Sequence, residues 1–207
     1  MAKAFAIEFA PDDLEYLKTN GYLLCVASAA DSGKTLVVWR CFSDYLEHNP
    51  FSLIDQYEVF GTSSFKIGEV VTIDTETMAI APGQQTVLTA DAKFLTPTDG
   101  TPGNIIINSG YPDPIHIGFS NTLTGPDNVQ QTTPLFVSDA VTNFSTYVYL
   151  PLDKLQVWLQ QNAVTGVIIN ADVVNAAMID LTKKDFVKLT YQNGEWSEQS
   201  AARPGVA

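Results

Sequence analysis

Apolar residues recur mostly at every second position along this chain, the spacing of strands with one buried face. Residues 22–30 and 35–42 predict a first hairpin, with Asp31-Ser32-Gly33 as a three-residue loop and Gly33 in the left-handed position. In that register Cys25 faces Trp39 and Cys41 faces Leu23. Val37, Trp39 and Cys41 then share the core face, and Val38 and Arg40 point outward.

Short strands are expected next at 56–60, 69–75, 77–80 and 86–88, with a turn at Pro82-Gly83-Gln84-Gln85. The stretch 96–103 (Thr-Pro-Thr-Asp-Gly-Thr-Pro-Gly) has no apolar residue and reads as a linker or a sheet-to-sheet crossing. Beyond it, 104–108, 115–121, 134–141, 145–150, 164–170, 176–181 and 186–191 continue the strand series, 122–134 is a second polar loop, and Asn193-Gly194 makes a turn.

One short helix is expected at 12–20, where Asp12 and Asp13 suit the first turn and Asn20-Gly21 a stop. Residues 153–162 fit either period. As a strand they place Leu155, Val157 and Leu159 inward and Gln156, Trp158 and Gln160 outward, and the extended character of Tyr147, Tyr149 and Pro151 favours this reading. The fold class is all-β: an antiparallel β-sandwich or closed barrel with one short N-terminal helix, expected to be a single domain over 1–207.

Composition narrows the function classes. The apolar fraction of 45% and charged fraction of 16% exclude a disordered chain and a charged coiled coil. The net charge of −12, with 11 basic residues gathered nowhere, argues against nucleic acid and anionic membranes as partners. No run reaches the roughly 20 apolar residues of a membrane span, and residues 1–13 do not read as a secretory leader, so a cytoplasmic location is expected. The diagonal register of Cys25 and Cys41 predicts two reduced thiols and no disulfide.

Catalytic motifs are sparse. Gly33-Lys34-Thr35 lacks the first glycine of a phosphate loop, since position 28 is Ser28, and a strand follows where a helix is required. No nucleophile elbow is present. His48 and His116 are the two histidines, and neither has partners at metal-ligand spacing, so no metal or cofactor is expected. Asp127-Asn128 and Asp99 lack the alternation of a calcium loop.

Recognition of a neutral ligand fits the residue types better. A sugar ring offers an apolar face and equatorial hydroxyls, which an aromatic face with Asn, Asp and His can read without positive charge. The segment Asn108-Ser109-Gly110-Tyr111-Pro112-Asp113 holds those types, with His116 and Asn121 on the following strand. The expected ligand-binding set is therefore Tyr111 and Trp158 for stacking, with Asp113, His116 and Asn121 for hydrogen bonds. The leading expectation is a non-catalytic, lectin-like or toxin-like protein that binds a neutral glycan through loops. Two alternatives stand beside it. One is an enzyme that holds a small apolar molecule in a barrel pocket and uses Asp113 or Glu58 as general acid or base. The other is a self-assembling homo-oligomer joined through strand edges.

Overall fold

Seven strands meet in the largest sheet, and its centre is built from the two ends of the chain. In the computed structural model, which describes residues 3–29, 35–63, 65–151 and 153–199, β1 (Lys3–Phe9) runs parallel to β15 (Phe186–Gln192) and antiparallel to β4 (His48–Thr62). The sheet order is β10 (Gln130–Val141), β9 (Ile115–Thr124), β4, β1, β15 and β16 (Glu195–Gln199), with β5 (Met78–Ile80) on β4. β1 alternates strictly: Phe5, Ile7 and Phe9 are buried, while Ala4, Ala6 and Glu8 face the other way.

Two smaller sheets complete the molecule. One orders β11 (Thr146–Tyr149), β8 (Ile105–Ser109), β6 (Gln84–Leu88) and β7 (Thr98–Asp99); the other orders β13 (Ile168–Asn170), β3 (Thr35–Phe42), β2 (Tyr22–Ser28), β12 (Lys154–Gln161) and β14 (Ala177–Asp180). The protein is thus all-β and rich in antiparallel pairs, in three sheets rather than two, with α1 (Pro11–Thr19) as the helix among the described residues. Buried residues of all three sheets, such as Phe5 and Phe119, Ile105 and Ile107, and Val26 and Leu155, belong to one contiguous apolar cluster.

The helix forms as its sequence requires. Pro11 sits at the first turn, Asp12 and Asp13 oppose the helix dipole, and Lys18 lies in the last turn. Asn20 ends it, with Gly21 at φ +69° donating to the Lys18 carbonyl.

Three expectations are corrected here. Residues 96–103 are no sheet crossing: they lie between β6 and β8 of one sheet, and Thr98 and Asp99 pair with Gln85 and Gln84. Residues 69–75 form no strand beyond a bridge from Val70 to Val167. The register of β2 on β3 also differs, because Cys25 faces Cys41, with Sγ atoms 3.3 Å apart and unbonded. One residue of that shift is present where Ala27 faces Val38, and a bulge between this pair and Val26 with Arg40, which leaves Trp39 as the extra residue, adds the second. The turn Asp31-Ser32-Gly33 that set the expected register lies outside the described residues.

The bulge also changes which side chains go inside. Arg40 is not outward but buried, 6% exposed, with its guanidinium donating to the carbonyls of Leu123 and Val129 and lying 3.5 Å from Asp127.

Candidate functional site

The five residues expected to bind a ligand are not gathered at one place. β12 does form as a strand with Leu155 and Val157 in the main core, but its other face is covered too. Trp158 is 1% exposed, packed with Cys25, Ala27 and Val38 under Ala163, Ala171 and Val173, and its Nε1 donates to Gln160 Oε1 at 2.9 Å. It presents no ring face to a ligand. Asn121 is 4% exposed, on the face of β9 that carries Ile117, Phe119 and Leu123 into the core.

His116 lies on the opposite face of β9, since the two positions differ by an odd number of residues. Its Nδ1 donates to the Ser138 carbonyl at 2.8 Å and its ring sits against Phe65. Tyr111 packs on the main core, and Asp113 is exposed in the loop before β9. Tyr111, Asp113 and His116 are therefore close along the chain, whereas Asn121 and Trp158 are built into the interior.

The molecule instead offers an apolar cleft at the large sheet. Its volume is about 270 Å³, and Ala4 and Phe5 of β1, Phe51 and Ser52 of β4, Thr124 of β9 and Phe186 of β15 line it. The register explains the arrangement: Thr124 faces Ser52, Ser52 faces Ala4 and Ala4 faces Phe186, one row across four neighbouring strands. Gly125 and Asn128 of the β9–β10 connection close one end.

Buried aromatic residues back the cleft. Phe5 is fully buried and Phe51 nearly so, and their rings stack at 4.4 Å with 8° between planes. Phe42 meets Phe51 edge-on at 5.4 Å, and the Arg40 guanidinium lies over the Phe42 ring at 4.5 Å. Arg40 thereby holds the loop on one side through Leu123 and Val129, and Phe42 supports it from below. Asp127 Oδ1 accepts from the Val129 amide and shapes the turn itself.

No titratable side chain lines the cleft; its polar groups are Ser52, Thr124 and Asn128. Further along the outward face of β1, charges pair with one another. Glu8 accepts from Lys188 at 2.7 Å and lies 3.1 Å from His48 Nδ1, and the Lys188 ammonium holds the Glu8 carboxyl below its usual range. Neither Glu58 nor Asp113 reaches the cleft lining. Among the described residues no group of three or more His, Cys, Asp or Glu side chains is arranged to hold a metal ion, and no helix is long and apolar enough to cross a membrane.

Sequence reasoning missed Phe5, Phe51 and Phe186. The alternation of Lys3–Phe9 was a readable signal for β1, but nothing local announces that β1 pairs with a strand near the other end of the chain.

No protein-family model, curated protein or solved structure matches the chain.

Proposed function

We propose that this protein is a non-catalytic binding protein whose ligand is a small, neutral, ring-containing molecule seated in the cleft along the Thr124–Ser52–Ala4–Phe186 row. The observation that carries this reading is the composition of the lining: the half-buried Phe186 ring, Ala4 and Pro50, a few neutral polar groups, and no acid, base or cation. A charged ligand would lose its hydration there with nothing to replace it. General acid–base chemistry has no group to perform it at this place.

Size supports the same class. A cavity of about 150 Å³ holds benzene, so about 270 Å³ takes a substituted ring or a fused pair. Ser52, Thr124 and Asn128 supply one or two hydrogen bonds at the rim and set orientation. A ligand of about ten non-hydrogen atoms at about −0.5 kcal/mol each gives a Kd of roughly 0.2 mM. The glycan version of recognition loses one of its two stacking aromatics, since Trp158 is buried while Tyr111 is half-buried. A sugar would also leave most hydroxyls unpaired against these walls.

The test is a thermal-shift titration of neutral aromatic compounds, neutral sugars and carboxylated aromatics, on the natural protein and on Ala4→Phe. Ala4 faces the cleft row opposite to the core, so a phenyl group there fills the cleft and leaves the interior intact. Stabilisation by neutral aromatics that vanishes in Ala4→Phe supports the reading. Stabilisation by sugars alone, or an unchanged response in Ala4→Phe, contradicts it.

A further inference from the structure

Cys25 and Cys41 stand directly opposite one another on β2 and β3, with Sγ atoms 3.3 Å apart, and the binding reading above makes no use of either. The Cys41 amide donates to Thr165 Oγ1 at 3.0 Å, so it turns away from β2, and the two cysteines occupy a non-hydrogen-bonded pair of the ladder. In such pairs the Cα atoms lie about 4.5 Å apart, inside the range a disulfide spans. The bulge at Trp39 is what makes them opposite; a regular ladder through Ala27 and Val38 would place them out of line.

The two thiols differ in access and in chemistry. Cys25 is fully buried, whereas Cys41 is partly exposed. The hydrogen bond from the Cys25 thiol holds Cys41 below the usual thiol range against the opposing effect of burial, with Thr165 adding to the lowering. The same contact, followed by burial, pushes Cys25 up. Cys41 is accordingly the nucleophile and Cys25 its protected partner.

The geometry points to a peroxide-sensitive dithiol, in which Cys41 is oxidised first and Cys25 resolves it to an intramolecular disulfide. The Cys41 thiolate attacks a peroxide oxygen; the S–O bond forms as the O–O bond breaks, and the departing hydroxide takes up a proton to become water. The Cys25 sulfur then attacks Cys41 Sγ, the S–S bond forms as the S–O bond breaks, and a second hydroxide leaves with the Cys25 proton as water. The two thiols lose two electrons, and hydrogen peroxide becomes two waters. The product pins β2 to β3 beside Arg40 without asking either strand to change partner.

The experiment treats the folded, reduced protein with hydrogen peroxide, removes the peroxide, alkylates free thiols in denaturant and records intact mass and a peptide map. The expected result is the joint loss of both alkylatable thiols in the monomer, a peptide linking Cys25 to Cys41, and full recovery with a dithiol reductant. In Cys25→Ser the peroxide leaves Cys41 as an oxygen adduct that a sulfenic-acid trap captures, and in Cys41→Ser the Cys25 thiol stays alkylatable. The proposal is overturned if both thiols survive peroxide that oxidises free cysteine in the same tube. Oxygen adducts on the natural protein without a linked peptide, or a disulfide between two chains, overturn it equally. The map of the natural protein decides the matter even where a variant fails to fold.

Discussion

A Cβ built on Gly125 would fall 2.3 Å from the Phe42 ring, so the chain can pass between β9 and β10 at this point only with glycine there. This contact joins the cleft to the bulged strand, because Phe42 also meets Phe51 in the core beneath the cleft.

Gly125→Ala must therefore push Phe42 or the loop aside. Overpacking of this kind costs about 1–3 kcal/mol. Chemical denaturation should show that loss, together with weaker binding of the cleft ligand than in the natural protein.

Arg40→Ala removes the donor that satisfies the Leu123 and Val129 carbonyls, and a loss of about 2–3 kcal/mol is expected from hydrogen bonds made by a charged group. Asp127→Asn should cost under about 1 kcal/mol, because Asp127 is partly exposed and an amide oxygen can still accept from Val129. Urea midpoints of the two variants check the order.

Trp158→Ala opens a cavity in the second apolar cluster and should cost about 3–5 kcal/mol. Its effect on ligand affinity, measured below the melting range, should be nil. A selective loss of sugar binding at unchanged stability would restore the outward tryptophan that the sequence suggested.

The strands were legible where one face is buried: β8, β11 and β15 fall within a few residues of their expected places, because period two survives in them. The helix was legible from the acidic first turn and Asn20-Gly21. What failed depended on distant partners. Trp158 looked outward because alternation cannot tell solvent from a covering loop, and Arg40 because alternation does not foresee the bulge at Trp39 that turns it inward. The cleft was invisible because its row, Thr124, Ser52, Ala4 and Phe186, is assembled by register across four strands, one of them joined in parallel from the far end of the chain.

Alkaline pH should unfold the protein through its buried tyrosines. Burial pushes Tyr149 well above the ordinary tyrosine value and Tyr45 up to about 12. The folded state keeps these protons while the unfolded chain releases them from about pH 10, so their contribution is complete below about pH 10 and declines as pH rises toward the folded values. Tyr149→Phe should flatten the decline in melting temperature between neutral and strongly alkaline pH, since the phenyl ring retains the stack on Phe119 at 4.3 Å. An unchanged slope would remove Tyr149 from the account.

The most direct test of the central claim is amide chemical-shift mapping during titration with a neutral aromatic compound that stabilises the protein. Saturable shifts are predicted at Ala4, Phe5, Phe51, Ser52, Thr124, Gly125, Asn128 and Phe186, the residues that line the cleft. Shifts centred instead on Tyr111, Asp113 and His116, with the cleft silent, would contradict it and return the binding site to the loop before β9.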